Sequence, residues 1–349
     1  MRIAAGHAHD DPTMATARPQ SSADRGREAV HPGEIPPAGW RDVLSRVRRR
    51  IADDNLSITA AGSAFYALFA TFPGLLSLFG LYALAFDRQQ IAEQFAFLEG
   101  QLQPHAGRLL VALLEGLATV ERPQLGLGIA GGLLVTLWGT SVASRALIRA
   151  LNVAYGEKEK RSLLARTLVA LALAAGVIVA GFGIALVLIG VPVWSRSLAP
   201  ALQRSMLYAR WPVVAAVFWL AMLALYRFGP SRASPKWSWV SWGALLATAL
   251  WLAGSGVLAW VVGGAPVYQH LYGIVGTLVL VLAWFLLSAY AVLLGAEING
   301  ELERQTRHDT TTGPEKPLGT RGAAVADSLG DAAPSPGSSP RQSRSETQA

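Results

Sequence analysis

The 349-residue sequence contains no cysteine. Disulfides, thiolate metal centres and a cysteine nucleophile are therefore excluded. Charge is scarce too: 15% of residues are Asp, Glu, Lys or Arg, against about a quarter in a soluble globular chain. Histidine is sparse and scattered. His7, His9, His31 and His308 fall in polar end segments, and His105 and His270 in separate loops. RNA cleavage or other hydrolysis needs a positioned acid and base, or a metal held by such groups. No H-x-H-x-D-H cluster occurs, and Glu157 and Glu159 alternate with Lys158 and Lys160 as a solvated loop does. No P-loop is present either, which removes direct ATP coupling. The expectation is a protein that is not an enzyme and uses no metal or cofactor.

What the sequence has instead is apolar length, with 52% hydrophobic residues. Six apolar runs lie at about 57–86, 125–148, 163–194, 211–227, 240–262 and 273–297. About 20 helical residues cross a hydrocarbon core of about 30 Å. Five runs exceed that, while the fourth is short and opens with Trp211-Pro212, as if proline marked its first turn. The predicted fold is all-α, a polytopic bundle of about six transmembrane helices.

Basic residues give an orientation. Segments 41–50, 149–166, 227–236 and 304–307 hold fifteen lysines and arginines, and segments 88–122 and 196–210 hold six. The positive-inside rule then puts both termini in the cytoplasm and the chain in a cell inner (plasma) membrane. The same rule accounts for the net charge of +7 without a nucleic-acid partner. Residues 1–39 and 305–349 read as disordered cytoplasmic tails, poor in large apolar residues, around a membrane domain at 40–304. Nothing in 1–37 has the apolar core of a secretory signal. At 40–51 a basic amphipathic helix is predicted, with Val43, Leu44, Val47 and Ile51 on one side. Its Arg46, Arg48, Arg49 and Arg50 are expected to meet anionic lipid. The outer loop at 87–124 reads as two short amphipathic helices, lying flat on the bilayer or capping a cavity.

Three stretches resemble one bacterial family. The first is Ala60-Ala61-Gly62-Ser63-Ala64-Phe65-Tyr66-Ala67-Leu68-Phe69, running into Phe72-Pro73-Gly74-Leu75-Leu76. The second is Leu137-Trp138-Gly139-Thr140-Ser141, then Arg145-Ala146-Leu147-Ile148-Arg149-Ala150-Leu151-Asn152-Val153-Ala154-Tyr155-Gly156. The third runs from Tyr268 and Tyr272-Gly273 through Leu282-Ala283-Trp284 to Leu294-Gly295-Ala296-Glu297-Ile298-Asn299. Together, over roughly 45–303, they are similar to the YihY/BrkB family of inner-membrane proteins. That resemblance implies six membrane helices with termini inside. It supplies names linked to virulence and an old ribonuclease label, and no established activity.

Polar residues within or beside apolar spans are costly and usually have a role. Arg145 and Arg149 share a face at i, i+4 near the end of the second run, with Asn152 close by, and Glu297 and Asn299 end the sixth. The functional expectation is an Arg145–Glu297 contact in a cytoplasmic vestibule or gate; the alternative is that both snorkel to the interface or make a structural pair. Pro73-Gly74 is a candidate helix break of the kind that marks binding sites, with a simple kink that fits neighbouring helices as the slightly preferred reading. Gly128-x-x-x-Gly132 and Gly181-x-x-x-Ala185 suit close helix packing first and a homo-oligomer second. Tyr268, His270 and Tyr272 form a polar aromatic group on the last outer loop. Two functions compete. A transporter or translocator of solute or lipid needs a polar cavity between helices; a membrane scaffold or envelope-integrity factor needs only a sealed bundle.

Overall fold

A chain inside a bilayer finds no water for its N–H and C=O groups, so it must satisfy them within each segment. Every apolar run accordingly forms a helix. The computed structural model describes residues 25–85, 116, 122–195, 198–264 and 266–333. Helix α1 spans Pro37–Asp53, α2 Leu56–Ala85 and α3 Arg122–Ala154. Helix α4 spans Leu163–Ala185 and continues through a π-turn at Leu186–Gly190 into Val191–Trp194. Helices α5, α6 and α7 span Pro200–Phe228, Trp237–Gly264 and Pro266–Glu303. Six of these, α2 to α7, are long and apolar enough to cross a membrane. Leu127, Leu134, Leu163 and Val179 stand exposed along them, which is costly in water and favourable in lipid. Among the described residues the β structure is a single antiparallel bridge between Pro235 and Thr311.

Several expectations are corrected. The fourth span is not short, because α5 begins at Pro200 and Pro212 lies inside it. Gln203, Arg204, Ser205 and Arg210 hide its first turns from a hydropathy reading. The helix absorbs two of them by folding their side chains back: Arg204 Nε donates to the Pro200 carbonyl at 3.4 Å and Ser205 Oγ to that of Ala201 at 3.1 Å. The loop expected at 263–272 is likewise mostly helix, since α6 ends at Gly264 and α7 starts at Pro266. The side chains of Tyr268, His270 and Tyr272 lie outside the described residues, as does the loop at 87–124 apart from Gly116 and the start of α3.

Pro73-Gly74 does not break α2, which is continuous from Leu56 to Ala85. Hydroxyls return hydrogen bonds to the backbone around the proline: Thr71 Oγ1 donates to the Ala67 carbonyl at 2.7 Å and Ser77 Oγ to that of Pro73 at 2.7 Å. The glycine has a packing use. A Cβ on Gly74 would lie 3.2 Å from Thr136 of α3, and one on Gly139 3.0 Å from Ala70. At Gly132 an added Cβ would overlap Ser77 Oγ and stand 3.3 Å from the Pro73 carbonyl, whereas Gly128 and Gly181 face open space. Of the three glycines in these two motifs, Gly132 alone therefore brings helices together. Gly132→Ala is expected to separate α2 from α3 and cost about 1–3 kcal/mol. Gly128→Ala should be neutral or slightly stabilising, because alanine is the better helix former. Thermal unfolding of the two variants in detergent tests the contrast.

The bundle is closed at one end by a cap built from both terminal segments. Helix α1 forms as its periodicity predicts, but it packs on protein. Val43 and Val47 are buried with Trp239 of α6 and with Ile298 and Leu302 of α7, and Ala29 and Ile35 join them. Residues 25–35 and 305–333, read from composition as disordered, are folded here. Arg25 donates to Asp42 at 3.0 Å, Thr306 Oγ1 to the Ala29 carbonyl at 2.6 Å, and the Gly330 N–H to the Arg304 carbonyl at 2.9 Å. Residues 1–24 and 334–349 lie outside the described residues. The composition argument failed for a physical reason: what holds these segments is mainly hydrogen bonding to helix ends, with a few small or single apolar anchors, Ala29 and Ile35 in the first and Ala323, Val325 and Ala326 in the second.

Candidate functional site

The last turns of α7 carry polar side chains at 297, 299, 301 and 303, all buried. Residues four apart share a helix face, so Glu297 and Glu301 look one way and Asn299 and Glu303 another. The four have different fates, and those fates locate the site.

Glu303 is paired. Arg232 donates to it through both terminal nitrogens at 2.7 and 3.1 Å, and Thr310 Oγ1 adds a third bond at 2.8 Å. Arg232 also stacks over the Tyr155 ring at 4.2 Å. Burial alone would favour the neutral guanidine, but Glu303 reverses this and holds Arg232 above its ordinary value. Burial pushes the Tyr155 hydroxyl up. Glu301 is paired as well, with Arg46 Nε at 2.5 Å, with Arg304, and with Arg50 at 3.6 Å. Arg46 further donates to Gln305 Oε1 at 2.7 Å and to the Asp331 carbonyl at 2.8 Å. That buried guanidinium is unavailable to lipid, which corrects the expectation for Arg46. Arg48 and Arg49 remain exposed, and Arg50 is half-buried.

Asn299 joins helices. Its Oδ1 accepts from the Gly243 N–H at 2.8 Å and its Nδ2 donates to the Val240 carbonyl at 3.2 Å. Gly243 sits so close to the Gly295 carbonyl and to Asn299 that a Cβ would overlap both. The expected vestibule role for Asn299 is therefore replaced by an α6–α7 clamp. Asn152 does similar work between loops, accepting from the Ser231 N–H at 2.8 Å and donating to Glu159 at 3.1 Å. Hydrogen bonding from Arg161 holds the Glu159 carboxyl at about 2, so this knot stays ionised near neutrality.

Glu297 alone is left. It is 1% exposed, and neither carboxylate oxygen has a hydrogen-bond partner. It lies at the wall of a cavity of about 300 Å³ between the start of α2, the end of α3 and α7. Asp54, Thr59, Ser63, Tyr66 and Arg149 share that wall. Arg149 is exposed, so it stands toward the rim while Glu297 stands toward the closed end. Asp54 Oδ2 also lacks a hydrogen bond, its nearest cation being Arg50 at 3.7 Å. The expected Arg145–Glu297 contact is not formed. Arg145 lies one turn before Arg149 and is not part of the wall, and neither arginine makes a hydrogen bond or ion pair among the described residues. The sequence reading found Glu297 and Arg149 and missed Asp54, which belongs to the α1–α2 turn. Also missed were Glu301 and Glu303; their signal is the run of acidic residues at i, i+4 that closes an apolar span.

Among the described residues no group of three or more His, Asp or Glu side chains is placed to hold a metal ion. Residues 47–319, well over half of the chain, match the family described as virulence factor BrkB. The chain belongs to the BrkB family. A ribonuclease-like protein of Bacillus subtilis, YfkH, is 27% identical over 261 residues, covering 71% of this chain and 90% of YfkH. A UPF0761 membrane protein of Delftia acidovorans is 29% identical over 271 residues, 75% of this chain and 62% of that protein. A UPF0761 membrane protein of Methylibium petroleiphilum is 27% identical over 265 residues, again 62% of its length. The chain thus spans under two thirds of these two relatives. No solved structure matches it. Family membership, such relatives and six apolar spans make this a membrane protein. The BrkB match runs past α7 into the cap, and all three family-like stretches meet at the cavity. The first supplies Ser63 and Tyr66, the second Arg149 and Val153, and the third Glu297.

Proposed function

We propose that this BrkB-family chain is a transporter or translocator of a solute or lipid, with the cavity at the capped end as its substrate vestibule. The observation that carries the reading is the unpartnered Glu297 carboxyl beside a cavity walled by α2, α3 and α7. An isolated buried carboxylate is expensive, and a scaffold that needed only a sealed bundle would gain nothing from keeping one. Such polar sites between membrane helices suit substrate pathways.

The basic segments that gather at the capped end support a cytoplasmic side for it, in a bacterial-type inner membrane. Because the chain has no cysteine, single introduced thiols report both orientation and access. Lys158→Cys is expected to react with a membrane-impermeant maleimide only after the cells are opened, and Ala199→Cys in intact cells; the reverse pattern inverts the topology. Thr59→Cys, on the cavity wall, is expected to react with a charged methanethiosulfonate in opened membranes. A thiol there that stays unreactive under those conditions removes the vestibule and leaves the scaffold. In proteoliposomes, fluorescent lipid or labelled solute should cross faster with the wild-type chain than with Glu297→Gln.

A further inference from the structure

Two opposite charges border the same cavity and do not meet. Glu297 is buried beside the Asp54 carboxyl, and neither Glu297 oxygen nor Asp54 Oδ2 accepts a hydrogen bond from an N–H donor. Arg149 is on the wall of that cavity and makes no ion pair with either. The other cations nearby are engaged: Arg50 lies between Asp54 and Glu301, and Arg46 and Arg304 are bound to Glu301. Hydroxyls furnish more of the wall. Ser63 Oγ donates to the Thr59 carbonyl at 3.0 Å and keeps its lone pairs free, and Tyr66 lines the same space.

A carboxylate that has lost its water needs a donor-rich cation. A free guanidinium presents a fork of donors that fits an oxyanion. A ligand carrying only one charge would satisfy one end of the cavity and leave the other exposed to repulsion. A dipolar ligand satisfies both. The volume of about 300 Å³ is at the lower limit for small-molecule sites and admits a headgroup-sized molecule rather than a whole lipid.

We propose that the cavity binds a zwitterion of the ethanolamine phosphate class, its ammonium at Glu297 and Asp54 and its phosphate at Arg149. The assignment rests on the vestibule reading above and gives it a substrate class. It applies equally to a free solute and to the headgroup of a lipid whose chains stay in the bilayer.

Calorimetric titration of the full chain in detergent tests it, with O-phosphoethanolamine, ethanolamine and inorganic phosphate as separate probes. O-Phosphoethanolamine is expected to bind at least about tenfold more tightly than either half, the gain of one further charge-assisted contact. Glu297→Gln should reduce its affinity to that of phosphate, and Arg149→Gln to that of ethanolamine. Equal affinity for the whole and for one half overturns the proposal, as does sodium alone displacing the ligand, or wild-type affinity in both variants. If Glu297→Gln does not fold, Thr59→Leu fills the cavity without removing a charge and should abolish binding of the zwitterion. Repeating the titration in nanodiscs separates the sources. Phosphatidylethanolamine that competes where phosphatidylglycerol does not marks a lipid headgroup; no competition marks a free solute. Binding that holds while proteoliposome flux is absent retains the site and rejects transport.

Discussion

Arg232→Ala is expected to destabilise the protein by about 3–5 kcal/mol, the usual result of removing one partner from a buried ion pair. The side chains of Arg232 and Glu303 are both 0% exposed. Without the guanidinium, Glu303 keeps only the Thr310 hydroxyl at 2.8 Å, and Tyr155 loses the cation over its ring. One hydroxyl donor does not replace the water that the carboxylate gave up. Removing both charges should cost much less, since a buried pair often does little better than well-packed apolar side chains of similar volume. Arg232→Met combined with Glu303→Leu is therefore expected to recover most of the loss. Thermal unfolding in detergent reads both variants. A single variant that loses less than about 1 kcal/mol would mean that water reaches Glu303, and the cap would then be looser than its hydrogen bonds indicate.

The parts of this architecture that were legible in the sequence are those set by solvent. A run such as 163–194 or 240–262 is apolar throughout, and in lipid that leaves helix as its conformation. The amphipathic repeat of Val43, Val47 and Ile51 likewise marks a helix. Periodicity states that a face is buried, however, and not what buries it. For α1 the partner is Trp239 and α7 rather than lipid, so Arg46, which looked like a membrane contact, is enclosed. The cap was illegible for a related reason. Its segments are held by backbone groups and single charges meeting across the chain, such as Arg27 to the Gly330 carbonyl at 2.5 Å, and such pairings leave no periodic trace. The site was half legible. Glu297 and Arg149 stand out because charge beside an apolar span is costly, but which of several acidic residues lacks a partner depends on three-dimensional pairing. Asn299 and Glu297 are two residues apart, yet the amide is bonded through both its oxygen and its nitrogen while the carboxyl accepts no hydrogen bond.

The cap therefore separates the two readings of the carboxyl end most sharply. If residues 305–349 were a disordered tail, ending the chain after Arg304 would leave stability unchanged. In the folded cap that truncation removes the Gln305 and Asp331 acceptors of Arg46, the Thr310 donor of Glu303 and the Ala324 N–H bound to Glu157 at 2.6 Å. It also uncovers the neighbours of Val325 in the apolar core at the bundle end. Hydrogen bonds to charged groups contribute about 1.5–3 kcal/mol each, and part of that is offset by the chain entropy released when the segment is gone. The net loss is expected to be on the order of 5 kcal/mol, a large fraction of a typical domain's stability. A chain ending at Ala333 keeps every one of these contacts and should unfold with the full-length protein. Comparing the two truncations by thermal unfolding and by their accumulation in membranes decides the matter: equal behaviour would return the segment to disorder, whereas loss confined to the shorter chain makes the cap part of the folded membrane domain.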